Sequence, residues 1–245
     1  MFRSLLAAAG FGGAQVDTRI VRSRLVPGGT LLGEVVLKGG AVDQTIEGLQ
    51  LVLCTQVEVE SDNGEYTKPH ALAHWPLNER FVLRAGETMT IPLNATLPGE
   101  TPVTALPCHD NRTHVWLETR LEIASAIDAS DRDPLVVEPT EAMQCTIAAM
   151  GSLGYALVRA DVEAGYLQTQ AGNSQSGCYQ ELEFRPSGYG GIAEVEVSFL
   201  PGNGATHLII EIDRRHRGDS YRVVSVPHAG LSAASVQRML APLFS

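Results

Sequence analysis

Hydrophobic and polar residues alternate at every second position through much of the first half of the chain. The clearest run places Leu49, Leu51 and Leu53 on one face, and similar runs extend from Met89 to Leu97 and from Val115 to Ile123. A period of two is typical of β-strands with one buried face. Glycine-containing turns separate the runs, so the pattern predicts a β-sandwich of about seven short strands.

A helical pattern interrupts this alternation at the start of the second half. Thr140 followed by Glu141 predicts the first turn of a helix, and Met143 and Met150 lie at helical spacing before the chain reaches Gly151. An N-cap threonine, an apolar face and a glycine at the end together define the limits of this predicted helix.

Alternation resumes after the helix. The sequence Pro-Gly-Asn-Gly at 201–204 predicts a hairpin turn, and the polar stretch 168–177 predicts a loop. The tail from Ser232 to Phe244 has the spacing of an amphipathic helix. We therefore expect a second β-sandwich with helical additions.

The stretch 128–140 is the best candidate for a domain boundary, because Pro134 and Pro139 lie there between the two patterned halves. We expect one domain over 1–133 and a second over 134–245. The predicted fold class is all-β, with two tandem β-sandwich domains and a few short helices.

Composition narrows the classes of function. Of the 245 residues, 44% are hydrophobic and 19% are charged, and the formal net charge is −10. A surface this acidic does not attract nucleic acid or anionic lipid. No stretch approaches the ~20 apolar residues of a membrane span.

We predict a short amphipathic helix from Met1 to Gly13, packed on the first domain or on a partner; a secretory signal peptide is the alternative.

The four cysteines lie far apart and include no C-x-x-C pair; they are Cys54, Cys108, Cys145 and Cys178. This number is too small for a disulfide framework in a chain of this length. Cys54 lies in a strand pattern and Cys145 in a helix pattern, where free cysteine behaves as a small buried hydrophobe. The cysteines therefore favour a reducing compartment.

Two clusters of acids and arginines are the candidate functional residues, one cluster in each half. The first is Asp131, Arg132 and Asp133, and the second is Asp213, Arg214 and Arg215 directly after an alternating strand. Charges beside buried strand faces need partners of opposite sign. We therefore predict an interdomain polar core formed by these residues, and two unrelated solvated turns are the alternative.

The remaining polar patterns predict no metal, cofactor or catalytic site. His70 and His74 are four positions apart but lie between prolines, and a Cys108-His109 pair precedes His114 in a loop segment. Neither group has the ligands of a zinc site. No nucleophile motif is present. We interpret the alternating glutamates as a solvated strand face; they are Glu181, Glu183, Glu194 and Glu196.

Several segments, taken in order, resemble the bacterial sporulation-control protein family. They are Gly13 to Arg19, Val26 to Gly29, Gly33 to Val35, Lys38 to Ile46, Thr101 to Thr104, Val115 to Asp128, Ser130 to Asp133 and Ile212 to Arg215. The resemblance implies an arrestin-like fold of two tandem β-sandwiches. It also implies a non-enzymatic cytoplasmic regulator of sporulation, stress or cell division that recruits proteins through sandwich edges and loops.

The expected partners are proteins, and the terminal helix or an unpaired edge strand leaves room for a homodimer. Addition of a partner strand to an exposed edge is the expected binding mode. The alternative is an exported carbohydrate- or envelope-binding β-sandwich that stacks Trp75 or Trp116 on a ligand.

Overall fold

The computed structural model describes residues 12–21, 24–61, 64–188, 190–215 and 218–244. These ranges contain sixteen β-strands, two α-helices and one 3-10 helix. The first half contains β1 (Gln15–Ile20), β2 (Thr30–Lys38), β3 (Gln44–Val59), β4 (Tyr66–Asn78), β5 (Phe81–Leu83), β6 (Thr88–Thr96), β7 (Asp110–Asn111), β8 (Val115–Ile123) and β9 (Ala129–Pro134). The second half contains α1 (Glu141–Ser152), β10 (Tyr155–Ala164), β11 (Gln168–Thr169), β12 (Gly172–Asn173), β13 (Cys178–Pro186), β14 (Ile192–Pro201), β15 (Ala205–Arg214), β16 (Gly218–Pro227), α2 (Ala233–Leu240) and the 3-10 helix (Ala241–Leu243).

The first half buries its core between two sheets. One is the antiparallel sheet β1–β2–β6, and in the other β3 lies between β8 on one side and β4 and β5 on the other. Leu49, Leu51 and Leu53 of β3 are at most 1% exposed and pack against apolar residues of β2, β6 and β8. The buried face predicted from the alternation is therefore confirmed.

In the second half, a five-stranded antiparallel sheet in the order β10–β13–β14–β15–β16 carries both α-helices on its apolar face. Phe184, Val197 and Ile210 from three of its strands share a core with Met150 of α1 and Leu240 of α2. Here the helices fill the position that a second sheet occupies in a sandwich. The two helices predicted for this half are confirmed, whereas the helix predicted from Met1 to Gly13 lies outside the described residues except for its last two positions.

Local chemistry explains where these elements begin and turn. The Thr140 hydroxyl accepts a hydrogen bond from the Met143 N–H at 3.3 Å, and Ser232 and Ser235 form a reciprocal capping box at the start of α2. The turn at 201–204 joins the paired strands β14 and β15, as predicted. The segment 168–177 contains the small β11–β12 hairpin.

One hydrogen-bonded sheet of eleven strands runs through both halves, with β16 and β9 at the two ends of its main path. β3 and β10 are parallel and share a single paired position, Glu58 with Glu163. The all-β fold class with a few short helices is confirmed. The division at 133/134 stays a prediction, since the sheet is continuous across it. Within the described ranges, neither α-helix is long and apolar enough to cross a membrane.

Candidate functional site at the junction of the two halves

The first predicted cluster connects the two sheets of the N-terminal half. Asp131 on β9 accepts a hydrogen bond from the backbone N–H of Thr18 on β1 at 2.7 Å. The guanidinium carbon of Arg132 lies 3.8 Å from the ring centroid of Trp116, which is only 3% exposed. This cation–π contact covers the indole. Trp116 is therefore not available for stacking on a ligand, contrary to the alternative considered from the sequence.

Asp133, the third residue of this cluster, is partly buried. Its Oδ2 atom is buried, and no hydrogen-bond partner for it is found among the described residues. Burial, followed by the neighbouring carboxyls of Asp131 and Asp17, raises the pKa of Asp133 to about 6. The carboxyl group is therefore partly protonated just below neutral pH.

The second predicted cluster connects the end of β15 to the C-terminal tail. Arg214 donates a hydrogen bond from Nη2 to the carbonyl oxygen of Leu243 at 3.0 Å. The backbone N–H of Arg215 donates to the carbonyl of Gly191 at 2.9 Å, while the Asp213 side chain is exposed. This cluster holds the 3-10 helix and the β14–β15 end of the sheet in place.

The structure does not bring the two clusters together. Six strand-to-strand steps separate β9 from β15 in the sheet order. At about 4.8 Å per step, the clusters are roughly 30 Å apart. The interdomain polar core expected from all six residues is therefore replaced by two separate contacts. The sequence shows that each cluster follows a strand, but it does not show the order of the strands.

A buried glutamine on β13, which sequence analysis did not single out, joins the two halves. Gln180 is 8% exposed, and its Oε1 accepts from the Val103 N–H at 2.9 Å. Its Nε2 donates to the Val103 carbonyl and to the Thr113 hydroxyl, both at 2.8 Å. The amide thus satisfies groups of the first half without placing a charge in the interior.

A second contact between the halves forms around Glu100. Its carboxylate accepts hydrogen bonds from the backbone N–H groups of Gln175 and Ser176 at 2.9–3.0 Å and from the Ser176 hydroxyl at 2.6 Å. His70 on β4 reaches the Ser176 carbonyl at 2.6 Å. The 168–177 segment is therefore fixed to the first half at its C-terminal end.

The third contact is an ion-pair network centred on Arg159 of β10. Its Nη2 lies 3.2 Å from Glu58 of β3, and its Nε lies 2.6 Å from Asp161 and 3.9 Å from Asp110. Arg112 also contacts Glu58, at 3.4 Å. Because Asp161 is 7% exposed, this network is partly shielded from water.

Within the described residues, the only group of three close potential metal ligands is Glu58, Asp161 and Glu163, whose oxygens lie within 4.8 Å of one another. The Arg159 guanidinium already supplies a positive charge to two of them. The group therefore acts chemically as a salt-bridge network, and we assign no metal to it.

An acidic groove crosses the face of the second sheet that is turned away from the helices. The strand register places Arg159, Glu183, Glu196 and Glu211 in one row on β10, β13, β14 and β15. The groove has a volume of about 550 Å³. Directly opposed like charges destabilise an antiparallel sheet.

Burial and repulsion between neighbouring carboxylates raise the pKa values of the glutamates on this face. Burial, followed by Glu196, raises the pKa of Glu181 to about 8. Burial, followed by Glu211, raises the pKa of Glu196 to about 7. The predicted alternation of glutamates is confirmed, but Glu183 is only 8% exposed, so the face is not simply solvated.

The predicted loop histidines and cysteines do not form a common site in the described chain. His70 and His74, which were expected to be loop histidines, both lie on strand β4 instead. Cys108 and His109 immediately precede β7, and His114 immediately precedes β8. All four cysteines are free thiols, and burial raises the pKa of the Cys178 thiol to about 11.

These features define a β-rich protein of two halves with an arrestin-like fold, joined by neutral and ionic side-chain contacts. The chain belongs to the Spo0M family, described as SpoOM protein, whose model matches residues 2–216. It is similar to the sporulation-control protein spo0M of Bacillus subtilis (strain 168), with 34% identity over 221 residues, 89% of this chain and 82% of that relative. The crystal structure of Spo0M from Bacillus subtilis matches with a TM-score of 0.83 and 27% identity, covering 95% of this chain and 98% of that one. The family resemblance and the arrestin-like fold predicted from the sequence are confirmed.

Proposed function

We propose that this chain is a non-enzymatic regulator that binds other proteins in the control of sporulation, stress or cell division. The observation that carries this proposal is the similarity to a sporulation-control protein along 89% of the chain. Because the similarity spans both halves, the two proteins share a whole architecture rather than one motif. The name of the relative indicates the process, which is sporulation control. The exposed edge of the second sheet indicates how a partner protein would be bound.

The hydroxyl–histidine contacts in the described chain lack the third group of a catalytic triad. Ser225 lies 2.8 Å from His207, and Thr206 lies 3.1 Å from His228. No described carboxylate hydrogen-bonds to either imidazole, although triad chemistry requires the base to be oriented by such a group.

The outer edge of β16 is the surface that we propose for partner binding. β16 pairs with β15 along its full length, and no described strand pairs with its other side. Tyr221 is 63% exposed and Val223 is 47% exposed on this strand. An outer edge with no described strand on it, beside exposed apolar side chains, favours addition of an extended segment of a partner protein.

We propose a cytoplasmic location for the same protein. All four cysteines are free, and Cys54 and Cys178 are buried. Free thiols at these positions fit a reducing compartment. The exported carbohydrate-binding alternative has less support, because Trp116 is covered by Arg132 and Trp75 packs partly against the N-terminal core.

The test is co-purification of proteins with the tagged chain from extracts of its source organism, followed by mass spectrometry. Val223→Lys places a charge on the β16 edge and is expected to abolish capture of specific partners, since edge charges block strand addition. Val136→Lys is the matched control, because Val136 is an exposed valine (68%) outside every described strand.

Proteins of sporulation or division control that are retained by the wild type and Val136→Lys but lost with Val223→Lys would support the proposal. Equal capture by all three forms, or no specific capture by the wild type, would contradict edge binding. Sedimentation of the purified chain distinguishes a second copy from a different partner: a dimer abolished by Val223→Lys would make the occupant of the edge another copy of this chain.

A further inference from the structure

The two halves meet at a narrow seam where the end of β3 lies beside β10. Only Glu58 and Glu163 pair across it, whereas the neighbouring β10–β13 ladder has nine paired positions. Val57 and Val162 pack with Cys178 on one face of the seam. The carboxylates lie on the opposite face. β7 pairs with the same side of β10 at two further positions, so the end of β3 is the part of the first half that has little backbone bonding to β10.

The arginines at the seam are already used by other carboxylates. Arg159 contacts Glu58, Asp161 and Asp110, and Arg112 contacts Glu58 and Asp110. Two guanidinium groups therefore face three carboxylates, and Glu163 adds a fourth carboxyl group. Within the described chain no ion pair reaches Glu163, although its oxygen lies within 4.8 Å of those of Glu58 and Asp161.

The surroundings of Glu163 are predominantly acidic on every strand that packs against it. Its titratable and charged neighbours are Glu58 on β3 and Glu60 just after it, Arg159 and Asp161 on β10, and Tyr179 and Glu181 on β13. Burial, followed by Asp161, Glu58 and Glu60, raises the pKa of Glu163 from 4.5 to about 7. Geometry and charge therefore agree that the ionised form is disfavoured while the seam is closed.

We propose that Glu163 is a proton-operated switch at the junction: the neutral carboxyl keeps the end of β3 beside β10, and its ionisation opens this seam. An opened seam returns Glu163 to water and separates it from Glu58. The apolar contact of Val57 with Val162 is lost at the same time. The packing of the end of β3 on β10 thus becomes sensitive to pH, while the Gln180 and Glu100 contacts and the β7–β10 pairing keep the two halves joined.

The sign of the effect follows from proton linkage. The closed seam holds its proton up to about pH 7, whereas an open, hydrated Glu163 ionises near its ordinary value of 4.5. Closing is therefore favoured at low pH and is progressively lost as the pH rises from 4.5 to 7. Between about pH 6 and about pH 8 the equilibrium constant for opening increases about tenfold.

Hydrogen–deuterium exchange of the full chain measures this opening directly. Protection factors, corrected for the intrinsic exchange rate at each pH, are compared at about pH 6 and about pH 8 for the individual amides of 57–60 and 160–165 that face the opposite strand, since β4 and β13 protect the amides on the other sides of β3 and β10. The wild type is expected to lose about tenfold in protection at the seam. Glu163→Gln has nearly the shape of the neutral carboxyl and cannot ionise, so it is expected to remain protected at both pH values.

Glu47→Gln is the matched control, since Glu47 lies on the same strand β3 but pairs with Arg80 away from the seam. It is expected to lose protection as the wild type does. The proposal is overturned if wild-type protection does not change with pH, if Glu163→Gln changes as much as the wild type, or if Glu47→Gln abolishes the change. Circular dichroism of Glu163→Gln verifies that the variant is folded at both pH values.

Discussion

Gln180 joins the two halves through a neutral amide, in a position where sequence analysis predicted charged pairs. Its side chain both accepts from and donates to the backbone of Val103, and it also donates to Thr113. An arginine–aspartate pair in the same place would carry the cost of removing two charges from water. The amide avoids this cost and still satisfies each buried backbone group.

Gln180→Ala is expected to lower the free energy of unfolding by about 3 kcal/mol, because it leaves buried donors and acceptors of Val103 and Thr113 without partners. Urea denaturation at pH 7 measures the change. Gln56→Ala is the control: its amide bonds to Thr67 at the surface, and its loss is expected to cost less than about 1 kcal/mol. Equal costs for the two variants would show that the Gln180 contacts do not hold the junction.

At the scale of whole elements, the second sheet has two different faces. Helices α1 and α2 cover one, while the other carries the row of glutamates across β13, β14 and β15. Glu196 is directly opposite Glu183 on one side and Glu211 on the other. The burial of apolar residues under the helices therefore offsets repulsion on the opposite face of the same strands.

Glu196→Gln is expected to stabilise the protein by about 1 kcal/mol at pH 8, because it removes one charge from between two opposed glutamates. The gain should fall to a small fraction at pH 5, because the pKa of Glu196 is raised from 4.5 to about 7, so the folded carboxyl is neutral there and only its ionisation in the unfolded chain still contributes. Thermal unfolding at both pH values measures this. Glu79→Gln, at an exposed position outside the strands, is expected to change stability by less than about 0.5 kcal/mol at either pH. A gain of equal size at pH 5 would exclude charge repulsion as the cause.

The elements themselves were largely predictable from the sequence. The alternation around Leu51 placed β3 and its buried face, and Thr140 and Ser232 marked the helix starts. The burial of Glu183 was not predictable, because it depends on which strands lie on each side of β13. Alternation determines which residues share a face, but not how deeply that face is buried.

On the scale of the whole molecule, the sheet order separates the two clusters of acids and arginines from which the sequence predicted a polar core. Arg132 covers Trp116 near one end of the sheet, and Arg214 donates a hydrogen bond to the Leu243 carbonyl near the other. Neither local sequence contains information on this distance, because the order of strands is set by long-range packing. The junction residues Arg159, Gln180 and Glu100 were missed for the same reason.

A double-mutant cycle tests this separation. Arg132→Ala and Arg214→Ala are each expected to destabilise the protein, and the effect of the pair is expected to equal the sum within about 0.5 kcal/mol. Tryptophan fluorescence should report the first substitution and remain unchanged by the second. A coupling energy above about 1 kcal/mol would restore the single polar core that the sequence predicted.

The pairing of β3 with β10 also limits whether the two halves can be separated or exchanged during evolution. A fragment beginning at residue 134 would expose the side of β10 that meets β3 and β7, and it would leave the Gln180 amide without Val103 and Thr113. Exposed strand edges promote association between chains. The two halves are thus poor candidates for exchange as separate modules, and we expect relatives to inherit them as one unit and to vary mainly in their loops.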